Sequence, residues 1–455
     1  MSGVLQRLSR LNPIAALALL IIFPALLMGG ANSASGGALL ALALLACLLG
    51  VAIAAPRALL ARTLGANGVT LCAALAFIGF GLVSTLGVSG ETAHPLWAAF
   101  DLPTRAASLS PYRTIEGAAS FVAPCAAFLL GALAAPDSRA RDQLGRWTML
   151  LAAIYCILAL GLFLSAQARP GGRLDPAISS ANAAATVFGF LMIIAMVMIV
   201  RAARGRLTSA VGSETCSDAG RASSILGVAR LVIAAPLSLA TAMLAFAGLL
   251  LTASRGGLLA ALIGAAVFAL LMAPRALSSA QVRAGALLAP LIGLGALFAV
   301  LFMRGGDEVL RRFALTADDA EVRTMLAQAH WAAFTERPML GHGLNAYHEL
   351  NLLVQTEANW RALEGVGSAH NIFIQALEEG GYVGFGLLAL IFAAPLVRAF
   401  ATLFGRGGGA EWAAGAIAVS ALALAHGSVD FGLQVPAVAA LFAFLLGAGS
   451  ARNSV

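Results

Sequence analysis

The stretch 38–55, ALLALALLACLLGVAIAA, is an unbroken run of uncharged, mostly apolar residues. A helix needs roughly 20 such residues to cross the hydrocarbon core of a bilayer. Similar runs recur along the 455-residue chain, and they predict an all-α polytopic membrane protein with about twelve transmembrane helices and one large extracytoplasmic loop containing short helices. The runs lie near 14–29, 38–55, 69–88, 115–135, 147–165, 183–200, 231–251, 256–273, 284–303, 382–397, 411–426 and 434–449.

The composition excludes a soluble globular protein. Hydrophobic residues make up 60% of the chain and charged residues 11%, whereas soluble domains carry roughly 25% charged residues. The formal net charge is +7, and all 28 basic residues are Arg. These Arg residues are scattered over loops rather than clustered, so the basic balance does not predict nucleic-acid binding. The five cysteines have no metal-ligand spacing.

The distribution of Arg predicts the orientation, because cytoplasmic loops carry the excess of positive charge. With a cytoplasmic N-terminus and twelve helices, the cytoplasmic segments hold 17 Arg and five acids, and the opposite side holds 11 Arg and 16 acids. We therefore predict that both termini are cytoplasmic. The first run follows Arg7 and Arg10 and resembles a signal peptide. We favour an uncleaved helix, since its removal leaves an odd helix count and inverts the charge bias.

The predicted organisation is residues 1–303 as transmembrane helices 1–9, 304–381 as the large loop, and 382–455 as helices 10–12. A long ordered loop in a compact protein is usually functional. Inside it, residues 321–337 are predicted to form a helix ended by Pro338. A second helix is predicted to begin near Ser368 as N-cap and to stop at Gly380–Gly381, directly before the next membrane helix.

His370 is the best catalytic candidate in this loop. It lies in Ser-Ala-His-Asn, predicted as the first turn of the second helix. The partial positive charge of a helix N-terminus favours a neutral ring, which a general base needs. The alternative is a structural histidine. We regard His330, His342 and His348 as weaker candidates, of the kind found on loops and helix surfaces.

Several Arg residues are candidates for binding a diphosphate, because guanidinium is always charged and bonds phosphate oxygens in pairs. Arg255 lies in Thr-Ala-Ser-Arg-Gly-Gly between two apolar runs. A charge there marks a functional position, unless it is an interfacial anchor. Arg173 and Asn182 flank the start of helix six, and Arg323 lies on the first loop helix. For each loop Arg the alternative is a solvated charge.

His426 and Asp430 lie at the outer end of helix eleven, in His-Gly-Ser-Val-Asp-Phe. Their spacing of four residues predicts a hydrogen-bonded pair, which suffices to explain both residues structurally.

Together these stretches resemble the O-antigen ligase and polymerase superfamily over about 170–436. The resemblance rests on the following segments: Arg173 with Asn182, Ser254-Arg255-Gly256-Gly257, Arg323 upstream of Trp331, Pro338-Met339-Leu340-Gly341-His342-Gly343, Ser368-Ala369-His370-Asn371, Glu379-Gly380-Gly381, and His426 to Pro436.

The resemblance implies a metal-independent membrane glycosyltransferase that works without cofactor or nucleotide. Arg255 and Arg323, with Arg173, would hold the diphosphate of an undecaprenyl-diphosphate-linked glycan. His370 would orient or deprotonate the acceptor hydroxyl, supported by the three residues Asn371, His426 and Asp430. The acceptor would be lipid A core or a growing glycan, and the protein would lie in the bacterial inner membrane.

Ligase and polymerase activities are not separated by the sequence, because both attack the same anomeric carbon and release the same lipid diphosphate. A transporter or flippase of lipid-linked glycans is a different class. It needs polar residues along the helix interiors, and the helices are nearly free of them. A third alternative is a metal-dependent transferase that uses Asp318 and Asp319, with Glu91.

Overall fold

The computed structural model describes residues 12–28, 34–87, 92–99, 101, 105–165, 173–175, 180–211, 235–276, 316–405 and 408–451. Within them the chain forms helices and no named strand, which confirms the predicted all-α class. The helices are α1 (Pro13–Leu27), α2 (Ala34–Ala54), α3 (Arg57–Ala66), α4 (Gly68–Ser84), α5 (Pro95–Ala99), α6 (Pro111–Ser120), α7 (Val122–Leu133), α8 (Ser138–Ser165), α9 (Ala181–Val211), α10 (Pro236–Leu251), α11 (Arg255–Ala276), α12 (Thr316–Glu336), α13 (Tyr347–Leu353), α14 (Trp360–Leu363), α15 (Ile372–Phe404), α16 (Ala410–Gly427) and α17 (Pro436–Ser450).

Every predicted apolar run except 284–303, which lies outside the described residues, coincides with a helix. Within the described part of the chain, six spans are long and apolar enough to cross a membrane: α2, α6 joined to α7, α8, α9, α11 and α15. The pair α3 and α4, bent by 71°, makes a seventh if it counts as one span. The helices α1, α10 and α17 are apolar but shorter. A polytopic helical membrane protein follows, whereas the number twelve stays a prediction.

Helix α9 forms the centre of the bundle. Within its apolar span 83% of the residues are buried, against 17% for α15. Around it, helices approach closely at small residues, as is typical of membrane bundles. A Cβ on Gly131 of α7 would lie 2.0 Å from the carbonyl oxygen of Phe444, and one on Gly447 of α17 would lie 2.1 Å from that of Phe128. These two glycines therefore set the contact between α7 and α17.

One end of the bundle is held by a charged cluster. Arg201 on α9 pairs with Asp142 on α8 at 2.6 Å and with Glu411 on α16 at 3.3 Å, and Arg204 also pairs with Glu411. The Arg distribution assigns all three helix ends to one side of the membrane. The structure brings them together, as helix alternation requires.

At the opposite end, α15 breaks at Gly381, whose backbone is non-helical with φ 59° and ψ −166°. The turn that follows α12 fills this break. Tyr382 N donates to Pro338 O at 2.7 Å, His342 N to Glu378 O at 2.8 Å, and Gly343 N to Glu379 O at 2.9 Å. The predicted helix end at Gly380–Gly381, with a membrane helix directly after it, is therefore found.

Two details of the loop predictions are wrong. The helix predicted to begin near Ser368 begins at Ile372, because Asn371 is the residue that caps it. His330 is fully buried rather than a helix-surface residue. Its helix, α12, spans Thr316–Glu336 and packs against α15, which covers the face that carries His330.

Candidate functional site

A three-residue turn places Arg255. Helix α10 ends at Leu251 and α11 begins at Arg255. Between them Ala253 has a left-handed backbone with φ 48°, and Ser254 Oγ accepts a hydrogen bond from Gly257 N at 3.2 Å. A side-chain oxygen in this position satisfies one of the unpaired N–H groups at a helix start. The sequence Thr-Ala-Ser-Arg-Gly-Gly thus reverses the chain and fixes Arg255 as the first residue of α11.

His370 lies immediately before a helix, not in its first turn as predicted. Asn371 Oδ1 accepts from Phe373 N at 3.0 Å and from Ile374 N at 3.2 Å, so Asn371 is the N-cap. His370 itself has φ 49°. A left-handed backbone is strained for a residue with a Cβ, and such strain occurs at sites where geometry is functional.

Asp430 lies behind the imidazole of His370. The distance from His370 Nδ1 to Asp430 Oδ2 is 3.6 Å, and Asp430 is 1% exposed. Asn182 Nδ2 donates to Oδ2, and Phe431 N donates to Oδ1 at 2.9 Å. Because Nδ1 of His370 is itself buried while the side chain is 27% exposed, Nε2 is the nitrogen available to a ligand.

The surroundings of Asp430 favour its ionised form. Burial alone raises its pKa, but the facing His370 imidazole and the nearby His426 outweigh burial and hold the pKa below its ordinary value. At 3.6 Å the contact with Nδ1 is longer than a hydrogen bond. Asp430 therefore acts through its negative charge, which favours a proton on Nδ1 and leaves Nε2 to accept one.

A hydrogen-bonded chain extends from Asp430 to Arg173. Arg173 Nη2 donates to Asn182 Oδ1 at 2.6 Å, and Arg173 Nε donates to the carbonyl oxygen of Thr252 at 2.7 Å. The chain Arg173–Asn182–Asp430 joins three segments that are remote in sequence. It connects the turn before Arg255 to the carboxylate behind His370.

The predicted hydrogen-bonded pair of His426 and Asp430 is wrong. His426 Nδ1 lies 2.8 Å from Thr186 Oγ1 on α9 instead. The physical reason is that α16 ends at Gly427, so Asp430 no longer follows helical spacing and turns toward Asn182. Thr186 was missed from the sequence, although it lies one helical turn after Asn182 and hence on the same face of α9.

Arg323 and His370 line one cavity of about 430 Å³, a size within the range of small-molecule sites. One wall comes from α12 and the other from the segment before α15 and the loop after α16. Its lining residues are Arg323, Thr324, Ala327, Gln328, Trp331, Ala369, His370, Asn371, Ile374, Ser428 and Val429.

Arg255 is not in this lining, yet its helix start adjoins it. A Cβ on Gly256, the next residue, would lie 3.1 Å from the side chain of Val429, which lines the cavity, and 3.4 Å from the His426 ring. The N-terminus of α11 therefore borders the wall that contains Val429.

A second buried cluster, around His330, holds α12 in place. His330 Nδ1 lies 2.6 Å from Glu378 Oε2, and its Nε2 lies 3.2 Å from Asn351 Oδ1. The ring stacks on Tyr347 with centroids 4.6 Å apart. Burial lowers the pKa of His330 to about 4. The sequence signal for its burial was the apolar spacing around it, since Leu326 at i−4 is buried as well.

The segment between α4 and α6 packs against the large loop, residues 304–381. The sequence did not predict this contact. His94 Nε2 lies 2.9 Å from His342 Nδ1, and Leu109 N donates to His342 O at 2.7 Å. Burial, followed by the charges of His342 and Arg337, lowers the pKa of His94 to about 3. Two segments predicted on the same side of the membrane are thus in direct contact. His348 is exposed, as expected.

Among the residues that the structure describes, no group of three or more His, Cys, Asp and Glu side chains is placed to hold a metal ion. The alternative site at Asp318, Asp319 and Glu91 lies outside the described side chains.

The fold and this cluster define a polytopic helical membrane protein with Arg323 and His370 in one cavity at the end of the bundle and Asp430 buried behind His370. Residues 240–389 match the family model described as O-antigen ligase. The match confirms the predicted relation to the O-antigen ligase and polymerase superfamily, and it includes Arg255, Arg323 and His370. No curated protein matches the chain.

Proposed function

We propose that this protein transfers a glycan from an undecaprenyl-diphosphate carrier to an acceptor hydroxyl on the periplasmic face of the inner membrane. The observation that carries the proposal is the shared cavity. A guanidinium (Arg323) and an imidazole (His370) backed by a buried carboxylate (Asp430) line it or lie directly behind it, and the family match spans the first two.

In the proposed reaction the acceptor oxygen forms a bond to the anomeric carbon, and the bond from that carbon to the diphosphate oxygen breaks. His370 Nε2 takes the acceptor proton. A sugar hydroxyl is too weak an acid to ionise by itself near neutral pH, so the proton must leave during the attack. Asp430 stabilises the imidazolium that forms, as a buried carboxylate does in other His–Asp pairs. The proton is then released to solvent or to the departing diphosphate.

The leaving diphosphate gains negative charge, and we propose that Arg255 and Arg323 stabilise it, with Arg173 as a third contact. Preorganised cations stabilise the negative charge that develops in a transition state. Arg323 lies in the cavity, and Arg255 is the first residue of the helix that borders it. Arg173 donates to Asn182 and to the Thr252 carbonyl, so it also aligns the turn before Arg255. These positive groups fulfil the role that a metal ion plays in other transferases, and metal independence stays part of the proposal.

The acceptor is lipid A core or a growing glycan. A ligase and a polymerase have the same requirements at the anomeric carbon, so both fit this site. The proposed topology has twelve spans and cytoplasmic termini, and it places residues 304–381 in the periplasm as the catalytic loop. Both loops that contact one another through His94 and His342 then lie on one side.

The test is a comparison of His370→Ala with His348→Ala, a histidine that is exposed in the same loop. Purified protein would be assayed with lipid-linked glycan in excess EDTA. Since general-base help contributes about 10²- to 10⁴-fold in rate, His370→Ala should lose activity by that factor at unchanged thermal stability, and His348→Ala should keep it. Wild-type turnover in His370→Ala would remove this residue from the mechanism. Activity that requires added magnesium or manganese would contradict metal independence.

A further inference from the structure

Trp331 is the largest side chain in the cavity wall and has no assigned role. It is 50% exposed, so about half of its surface is open to lipid or a ligand. Its ring is braced from behind by Phe334, with centroids 5.2 Å apart, and Phe334 is in turn packed edge-on against Tyr382 at 5.3 Å. The indole is therefore held in a fixed orientation while one side stays open.

Two polar groups beside the indole ring, the Gln328 amide and the Trp331 N–H, are also available. Thr324, Gln328 and Trp331 are spaced four and three residues apart, so they share one face of α12. All three line the cavity. Within the described residues, neither the Gln328 amide nor the Trp331 indole N–H has a hydrogen-bond partner. A flat apolar surface flanked by free donors and acceptors matches one chemical class well. A pyranose ring has an apolar C–H face and hydroxyl groups around its edge.

The spacing from Arg323 relates this surface to the donor diphosphate. Trp331 follows Arg323 by eight residues, which is about 12 Å along a helix axis. Both side chains lean toward the N-terminus of the helix and so keep this offset. A diphosphate at Arg323 carries its sugar directly on the terminal phosphate oxygen. Because Arg323 and Trp331 line the same cavity, the first sugar of the donor can reach Trp331 from a diphosphate at Arg323.

We propose that Trp331, with Gln328, is the platform that binds the first sugar of the lipid-linked donor and presents its anomeric carbon to His370. The inference rests on the proposed function, since it needs the diphosphate at Arg323. The indole face packs on the C–H face of the pyranose, and Gln328 bonds its hydroxyl groups. This contact contributes to donor selection by sugar, which the diphosphate contacts cannot provide.

The experiment measures binding of two probes to purified protein in lipid nanodiscs. One probe is undecaprenyl diphosphate, and the other is undecaprenyl diphosphate bearing a single N-acetylhexosamine. Trp331→Leu should weaken binding of the sugar-bearing probe by about tenfold, on the scale of one aromatic contact, and leave the sugar-free probe unchanged. Trp331→Tyr keeps a ring and should restore most of the affinity. The control Trp360→Leu changes an exposed tryptophan outside the cavity and should affect neither probe.

Equal weakening of both probes by Trp331→Leu would show an interfacial anchor for lipid and overturn the proposal. Unchanged binding of both probes in Trp331→Leu, while Arg323→Ala weakens both, would also overturn it and leave the diphosphate site standing. Unchanged binding of both probes in Arg323→Ala would instead refute the diphosphate site itself. A folded Trp331→Leu protein is verified by its thermal midpoint, and Trp331→Tyr provides the same test if the Leu variant does not fold.

Discussion

The joint between the large loop and the following membrane helix depends on Gly381. With φ 59° and ψ −166° its backbone lies in a region that is essentially restricted to glycine, and occupying it costs another residue about 1–3 kcal/mol. A Cβ there would also lie 2.4 Å from the carbonyl carbon and oxygen of Met339. That backbone cannot retreat easily, because Val383 N donates to the same carbonyl at 3.2 Å. Overpacking of this kind costs about 1–3 kcal/mol more.

Gly381→Ala should therefore destabilise the protein by about 2–6 kcal/mol. The control is Gly386→Ala in the same helix, where a Cβ meets nothing within 4 Å. Ala in a helix interior is more stable than Gly by up to about 1 kcal/mol. Thermal unfolding of both variants in the same detergent is the assay. The expected result is a much lower midpoint for Gly381→Ala and an equal or higher one for Gly386→Ala. Equal midpoints would refute the proposed close packing of Gly381 against the Met339 backbone.

Three further predictions concern charge, pH and topology. Arg323→Lys should reduce transfer nearly as much as Arg323→Ala, because Lys cannot form paired bonds to phosphate, whereas Arg361→Lys on the exposed loop should be silent in the same assay. The pKa of His330 is about 4 in the fold and about 6.5 unfolded, so only the unfolded chain gains a proton between these values. The contribution of His330 to stability should then fall by up to roughly 1.4 kcal/mol per unit as pH drops below 6.5. Because the Glu378 carboxyl lies 2.6 Å from the ring and also exchanges protons, this contribution is measured as a difference: between pH 7 and 5 the thermal midpoint of His330→Gln should drop less, or rise more, than that of His348→Gln. An alkaline phosphatase fusion should be active at residue 350 and inactive at residue 455, and the reverse pattern would contradict the topology.

The helices were predictable because lipid imposes one rule on every span. A spanning segment must satisfy its own backbone and present apolar side chains, so hydropathy alone located the described spans. Their internal arrangement was not predictable in this way. The contact of α7 with α17 depends on Gly131 and Gly447, and nothing in the hydropathy of either helix distinguishes these from other glycines such as Gly50, which meets nothing within 4 Å.

The candidate site was predicted residue by residue but not pair by pair. His370, Arg323 and Asp430 were each selected for chemistry at a predicted helix end or loop. The partner of Asp430 was predicted incorrectly, because a spacing of four residues predicts a contact only inside a helix. Because α16 ends at Gly427, the path of the following loop determines the contacts of Asp430, and it brings Asp430 next to Asn182 and His370. Local pattern specified the residue types, whereas tertiary packing specified the pairs.

The structure also explains why two short glycine-containing stretches accompany the histidine. Gly341 has φ 67°, and a Cβ on it would lie 2.5 Å from the carbonyl of Glu379. The helical break at Gly381 and the turn at Gly341 therefore form one contact, in which each stretch supplies the backbone partners of the other. Glu378, at that contact, is also the partner of His330 on α12. The cavity has α12 on one side and His370, directly before α15, on the other. The contact between Gly341 and Gly381 thus fixes the distance between Arg323 and His370, and with it the width of the cavity in which we propose that the sugar binds.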